Sequence, residues 1–264
     1  MILTFVLFFT FSLIILFSTA GYGILTVKLL QFEKSISNFG IIGILGLFSL
    51  SIISSYTHLL FPHDYIHNLV IIFFGLFNLV FLNKNFSKDT KYTLIVFTLL
   101  FISIIMSKTN EDFGYYHLPN SLQFAEQKLQ FGLGNLSHGF KHISSLFMLM
   151  SLNYLPIFKF YLFNLTNLLF LTFFITFLIL EIYFKNKKNL NISNIFLSFL
   201  LILFLTKFAR LAEYGSDISG QIIISIFIFY ILEFFYNQNI NQDDKINYLK
   251  VSLILIVFAI TLKF

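Results

Sequence analysis

Residues 2–27 read ILTFVLFFTFSLIILFSTAGYGILTV, a run without a charged side chain. A helix needs about 20 mostly apolar residues to cross a bilayer. The run also lacks the basic start and the small-residue cleavage site of a signal peptide, so we interpret it as the first membrane span. The rest of the chain has the same character, because 58% of its 264 residues are hydrophobic and 11% are charged. This composition predicts an all-α fold, a polytopic transmembrane helical bundle.

Apolar segments of the same kind predict about eight spans in a single transmembrane domain, residues 1–264. The predicted spans are 2–27, 40–61, 67–83, 92–107, 156–184, 195–208, 221–236 and 250–264. The longest polar connection, 108–155, is predicted to carry short interfacial or re-entrant helices. One is the apolar interval 143–155, which is too short to span. Another is 121–129, whose apolar side chains have the spacing of a helix lying along the membrane surface.

Clusters of lysine predict how the chain is oriented. They follow the third and fifth predicted spans and comprise Lys84, Lys88, Lys91, Lys185, Lys187 and Lys188. Because positive charge concentrates in cytoplasmic loops, the connection 108–155 is expected to be extracytoplasmic, together with all six histidines. We expect a protein of the bacterial inner membrane whose site faces outside. The net charge of +5 is explained by loop lysines, so no nucleic-acid partner is predicted.

Three polar stretches hold the residues that are able to carry out chemistry. They are EDFGYYHLP at 111–119, LGNLSHGF at 133–140 and ARLAEYGSD at 209–217. A carboxylate at the membrane boundary can be desolvated enough to act as a base toward a hydroxyl, so Asp112 and Glu111 are the catalytic candidates. The substrate-binding candidates are Tyr116, His117, Asn135, His138, Arg210, Glu213 and Asp217.

Each substrate-binding candidate has a chemical reason. A tyrosine ring can stack on the face of a sugar, and His117 can bind a phosphate or share a proton. Arg210 is the only arginine in the chain, and its guanidinium can clamp a phosphate with two parallel hydrogen bonds. Glu213 and Asp217 follow it at the spacing of one helix face. Structural alternatives stay open: carboxylates that cap helices, an ordinary glycine-containing loop, and an Arg–Glu pair at a helix end.

The histidines His58, His63 and His67, with Asp64 between them, raise the question of a metal. The four-residue spacing of His63 and His67 suits two ligands on one helix turn, but the set matches no recognised signature. We therefore predict no metal site and no cofactor, and a divalent metal has no support in the sequence. The absence of cysteine excludes a thiolate nucleophile and a cysteine-based metal site.

The three quoted stretches together resemble a group of uncharacterised bacterial membrane proteins, over about residues 90–230. That group is similar to the GT-C superfamily of glycosyltransferases, which includes protein mannosyltransferases and the lipid A aminoarabinose transferase. The resemblance implies transfer of a sugar from a polyprenyl-phosphate carrier to an acceptor on the extracytoplasmic side. It also implies that Asp112, with Glu111 second, matches the acidic residue of the first long outer loop. Arg210 becomes a candidate for contact with the lipid phosphate.

We therefore expect a membrane glycosyltransferase whose partners are membrane lipids, a polyprenyl-phosphate sugar donor and a glycan or lipid acceptor of the cell envelope. The chain departs from the family plan, because about four spans precede its acidic loop. Members of the superfamily are also longer, which predicts that residues 1–264 are the N-terminal part of a larger module. The alternatives are a membrane transporter and a non-catalytic, truncated membrane protein.

Overall fold

A computed structural model describes residues 2–32, 36–82, 89–105, 111–185, 192–206, 215, 217–237 and 241–263. Helices make up the regular structure of these segments, and the prediction of an all-α polytopic bundle is confirmed. Twelve α-helices follow in chain order: α1 Ile2–Leu29, α2 Phe39–His58, α3 Tyr65–Leu82, α4 Asp89–Leu100, α5 Ile102–Ile105, α6 Leu118–Glu126, α7 Leu133–Leu136, α8 Ser145–Ser151, α9 Leu165–Ile179, α10 Ile192–Thr206, α11 Asp217–Tyr236 and α12 Gln242–Lys263. Shorter turns complete them: π turns at Phe113–His117 and Leu180–Lys185, and 3₁₀ turns at His138–Lys141 and Phe160–Leu162.

Six helical segments of the described chain are long and apolar enough to cross a membrane, so this is an integral membrane protein. They are α1, α2, α3, the continuous segment Phe160–Tyr183 around α9, α11 and α12. The predicted spans 92–107 and 195–208 correspond to α4 and α10, which have 12 and 15 residues. At 1.5 Å per residue, the described parts of these helices extend about 18 and 22 Å, compared with the roughly 30 Å of a bilayer core. For α4 the physical reason is its polar start, DTKYT, and a turn at Phe101 that separates it from α5.

Successive long helices run in opposite directions, so the connections gather at two ends of the bundle. One end, which we call the loop end, holds the turn 59–64, the segment 111–164 and the start of α11. The Ser144 hydroxyl donates there to the carbonyl of Leu262 at the end of α12. At the opposite end the Asn38 amide donates to Glu181 Oε1 at 3.0 Å. All six histidines belong to the loop end, as the alternation of spans predicted.

Two predictions about the long loop need correction in part. The interval 143–155 contains a seven-residue helix, α8, whose side chains Leu146, Phe147 and Met150 are buried. It lies enclosed in the bundle, as a re-entrant segment would, rather than on its surface. The predicted surface helix 121–129 appears as α6, which ends at Glu126 and buries Phe124 and Ala125 against the protein. Its apolar face is therefore covered by the protein and not by lipid.

Helices α1 and α3 pack backbone to backbone through glycine. A Cβ atom built on Gly21 would overlap the carbonyl oxygen of Gly75, and one built on Gly75 would overlap Ser18. Small residues at such contacts are the usual means by which membrane helices approach closely, because packing and not water exclusion holds them together. The Tyr22 hydroxyl adds a hydrogen bond to the carbonyl of Ile71 at 2.8 Å. The register of α1 on α3 is therefore fixed by Gly21 and Gly75, where no larger residue fits.

Replacing Gly75 with alanine is expected to destabilise the protein by about 1–3 kcal/mol, because the new methyl group meets the Ser18 backbone and the helices must separate. The free energy of unfolding in detergent measures this. Gly220→Ala is the matched control, since no described residue outside its own helix comes within 4 Å of a Cβ at that position and alanine favours the helix. Equal stability of Gly75→Ala and wild type would contradict the close packing of α1 on α3.

Candidate functional site

The acidic stretch forms a widened helical turn that continues into α6. Residues Phe113–His117 are a π turn, in which the amide of Leu118 donates to the carbonyl of Phe113. Pro119 is the second residue of α6, and because helical winding is continuous from residue 111, its missing N–H removes one intrahelical donor at this point. The turn places Asp112 within hydrogen-bonding reach of the Tyr116 hydroxyl, which donates to its carboxylate. Single-turn π bulges are frequent at functional sites, because they turn side chains in directions that a regular helix does not allow.

Tyr116 and His117 form the centre of a cluster of rings. The Tyr116 centroid lies 4.3 Å from that of His117 and 4.9 Å from that of His142. His142 in turn lies 5.3 Å from His138, and His117 lies 5.4 Å from Phe147 of α8. We call these five rings the ring cluster. It joins the π turn, the 3₁₀ turn 138–141 and α8 at the loop end.

Asn120 holds two of these turns together. Its side-chain amide donates to the carbonyl of Tyr116 at 2.8 Å and to that of Gly139 at 3.1 Å. Gly139 lies so near the π turn that a Cβ on it would come within 2.6 Å of the Tyr115 carbonyl oxygen. The 3₁₀ turn can therefore approach only because position 139 has no side chain. His138 and His142 are positioned by this contact.

Two carboxylates act on the same pair of side chains. Burial raises the pKa of Tyr116, and the charge of Asp112, its hydrogen bond and the charge of Asp217 raise it further. Burial lowers the pKa of His117, while Asp112 and Asp217 oppose that shift. Asp217 is the first residue of α11, more than a hundred positions after Asp112, yet its field reaches both groups. The fold thus brings together two acids that the sequence keeps far apart.

His117 is one of the most enclosed polar groups of the site. Its side chain is 3% exposed, and its Nδ1 atom is buried without a hydrogen-bond partner among the described residues. An unsatisfied buried nitrogen of this kind costs about 1–3 kcal/mol, which a hydroxyl of a ligand could offset. Asp112 and Glu111 are exposed beside it. In this arrangement, a carboxylate can accept the proton of a bound hydroxyl group, and the imidazole of His117 can hold that hydroxyl.

The candidates from the sequence separate into three groups. Those that the structure brings together are Asp112, Tyr116, His117, His138 and Asp217. Glu111 is exposed next to Asp112, whereas Asn135 is exposed on α7, with its amide nitrogen 3.9 Å from a Cβ built on Gly132. Arg210 and Glu213 lie outside the described residues. Asn120, His142 and Phe147 also belong to the site, and no local sequence pattern indicates them because their roles depend on contacts between separate turns.

The second group of histidines forms a separate cluster where α2, α3 and α8 meet. The ring centroids of His58 and His63 are 5.2 Å apart, and those of His63 and His67 are 4.9 Å apart. Asp64 caps α3 by accepting from the amide of His67 at 2.9 Å, so the capping alternative applies to this acid. Within the described ranges, no group of three or more His, Cys, Asp or Glu side chains is placed to hold a metal ion.

His63 is fully buried in this cluster, and its hydrogen bonds fix its tautomer. Nε2 lies 3.1 Å from the carbonyl oxygen of Ser54, which can only accept, so Nε2 carries the proton and donates. Nδ1 of the neutral ring then accepts from the Ser151 hydroxyl at 2.6 Å. Burial lowers the pKa of His63 to about 3, and His67 and His58 add to this shift, although the Ser54 carbonyl opposes it. The ring serves as a neutral connection between α2 and α8.

The fold and the site together define a class: an all-α integral membrane protein with a cluster of acidic, tyrosine and histidine side chains at one end of its bundle. Residues 1–264 match the model of a family described as Domain of unknown function (DUF8201), and the chain belongs to that family. No curated protein and no solved structure matches the chain.

Because His63 is neutral in the folded protein, we expect the free energy of unfolding to depend on pH. The unfolded chain binds a proton at this residue near pH 6.5, whereas the folded protein does so only at about pH 3. The unfolded state therefore holds more protons between these values, and stability falls as the pH falls, by about 1.4 kcal/mol per unit. For His63→Gln, the loss of unfolding free energy between pH 7 and pH 5 should be smaller than in wild type by about 2 kcal/mol.

Denaturant or thermal unfolding in detergent at pH 7, 6 and 5 measures this difference. His138→Gln provides the control, because His138 is exposed at the same end of the bundle. A pH dependence of His63→Gln as steep as that of wild type would show that His63 does not carry the acid sensitivity.

Proposed function

We propose that the protein is a membrane glycosyltransferase, which transfers a sugar from a polyprenyl-phosphate-linked donor to a glycan or lipid acceptor of the cell envelope. One observation carries the proposal: Asp112 and Asp217, from distant parts of the chain, act on the same Tyr116–His117 pair. This pair lies at one end of an otherwise apolar bundle, where a lipid-borne substrate and a water-soluble group can meet. The resemblance of the three polar stretches to GT-C enzymes supplies the reaction class.

The proposed reaction is a direct displacement at the anomeric carbon. Asp112 accepts the proton of the acceptor hydroxyl, and the oxygen of that hydroxyl forms the new glycosidic bond. The bond between the anomeric carbon and the carrier phosphate oxygen breaks, and the phosphate leaves with the bonding electrons. Tyr116 positions Asp112 through their hydrogen bond, and Asp217 stabilises positive charge that develops on the sugar in the transition state.

The remaining candidates are assigned by chemistry. His117 is proposed to hold a hydroxyl of the sugar or acceptor when the side chains around it rearrange, because its Nδ1 atom is buried in this structure and has no partner among the described residues. His138 and His142, exposed at the edge of the ring cluster, offer ring faces and imidazole nitrogens to sugar and phosphate. Arg210 is proposed to bind the carrier phosphate, on the grounds that a guanidinium fits a phosphate with two hydrogen bonds. The lysine distribution favours an extracytoplasmic site, and the resemblance to bacterial membrane proteins implies an inner membrane.

A transporter remains the competing class, and its expected signature is a set of ionisable side chains within the spans. Glu181 and Glu233 are buried, but at the opposite end of the bundle from the histidines. Asn38 donates to Glu181, while Ser193 and Asn237 donate to Glu233. These bonds join the π turn after α9, the start of α10 and the end of α11. The two acids therefore have a structural role and do not form the signature expected of a transporter, which favours the transferase.

Asp112→Asn is expected to lower sugar transfer by at least about 100-fold, because the amide cannot accept the hydroxyl proton. The assay uses the purified chain in proteoliposomes with polyprenyl-phosphate-linked sugars and a radiolabelled sugar group. Asp217→Asn should also lose activity, whereas Tyr116→Phe, which removes only a positioning hydrogen bond, should lose about 10-fold.

The matched control is Asp243→Asn, an exposed acid at the start of α12 and the far end of the bundle. It receives the same chemical change and should retain full activity. Wild-type turnover by Asp112→Asn would rule out the assigned base. A wild-type protein that transfers none of the lipid-linked sugars offered would count against the reaction class.

A further inference from the structure

The most exposed large apolar side chains of the long loop lie just after α6. Phe131 is 93% exposed and Leu136 is 81% exposed. Phe131 precedes Gly132, which has a φ of +87° and is the N-cap residue of α7, and Leu136 is the last residue of that helix. We call residues 129–136 the loop tip. Burying side chains of this size in an apolar environment is favourable by about 1.5–3 kcal/mol each relative to leaving them in water, so an apolar partner would stabilise the tip.

The loop tip is attached beside the end of α2. The amide of Leu129 donates to the carbonyl of His58 at 3.4 Å, and the amide of His63 donates to that of Phe124 at 2.8 Å. Between these two anchors the chain makes the turn Leu59-Leu60-Phe61, whose side chains are all exposed. The tip and this turn are therefore neighbours on the surface, although about 70 residues separate them in sequence.

The same apolar surface continues onto α3. Only 11% of the span Tyr65–Leu82 is buried in the protein, and its outward face is lined with large apolar groups. They include Ile66, Leu69, Phe73, Phe74, Phe77 and Phe81, all exposed. In a span of an integral membrane protein, such a face contacts lipid tails. One exposed apolar strip thus runs from the lipid-facing side of α3, through the turn 59–61, to the loop tip.

Two lysines beside the loop tip are also consistent with a position at the membrane surface. Lys128 and Lys141 are both exposed and flank the segment on its two sides. The aliphatic stem of Lys141 lies against α7, since a Cβ on Gly134 would come within 3.1 Å of its Cγ. Lysines at the margin of an apolar surface extend their ammonium groups to lipid phosphates while their stems stay on apolar surface.

We propose that the loop tip inserts into the lipid bilayer interface at the loop end, with Phe131 and Leu136 at the acyl-chain boundary and Lys128 and Lys141 among the head groups. The bilayer is then a partner of the loop as well as of the spans. Because the 3₁₀ turn after α7 packs on the π turn through Gly139, the inserted tip holds the ring cluster at the membrane surface. The inference stands independently of the transferase chemistry.

The absence of tryptophan from the chain makes a direct test possible, since each tryptophan introduced is the sole reporter. Phe131→Trp and Leu136→Trp are reconstituted separately in vesicles of plain or brominated phosphatidylcholine, and emission is excited at the red edge where tyrosine does not absorb. Both should lose about half or more of their emission to bromolipid and resist aqueous iodide, as interfacial side chains do.

Two further variants calibrate the measurement. Phe74→Trp, on the exposed face of α3, should be quenched by bromolipid. Tyr115→Trp, an exposed aromatic in the π turn of the same loop, should be quenched by iodide instead. Iodide quenching of Phe131→Trp and Leu136→Trp would overturn the inference. So would bromolipid quenching of Tyr115→Trp equal to theirs, because the whole end and not the tip would then contact lipid.

Discussion

The packing of α2 on α9 is the contact on which the rest of the bundle depends. The segment around α9 is 89% buried in its most apolar window, so it is surrounded by protein and not by lipid. Gly40 and Gly43 of α2 lie directly against Phe173 and Phe177 of α9, where any Cβ would overlap ring or backbone atoms. With α2 so placed, its other face accepts α1, and α1 accepts α3. This contact between α2 and α9 therefore decides which helices are surrounded by protein and which face lipid.

The loop end derives its shape from the same arrangement. Helix α8 enters the bundle beside α2 and α9, and it presents Ser151 to His63 and Phe147 to His117. It therefore touches both the structural histidine cluster and the ring cluster. The side-chain amide of Asn68 strengthens this contact, because it donates to the carbonyls of His63, Ser151 and Tyr154 at 2.7, 2.9 and 3.0 Å. A short buried helix thus connects the spans to the turn that carries Asp112.

The features that depend on local composition are predictable from the sequence. The apolar runs predict the all-α membrane fold, and the alternation of spans places the histidines at one end. The contact in which Asn120 joins Tyr116 to Gly139 is not predictable, because both acceptors are backbone carbonyls, which any residue supplies. The side of 121–129 that faces protein is hidden for a similar reason. Spacing shows that Leu122, Ala125 and Leu129 share a face, but not whether protein or membrane covers it.

The π turn at Phe113–His117 has a consequence for how this site can vary. A π turn holds one residue more than the α-helical turn it replaces, so it corresponds to a single-residue insertion in a helix. Deleting one residue there would restore regular winding while the helix on either side kept its place, because the π turn alone absorbs the extra residue. Asp112 and Tyr116 would then be three positions apart instead of four and would still share a helix face. In this part of the chain, a change of length by one residue therefore redirects the side chains inside the turn without moving the helical segments that flank it.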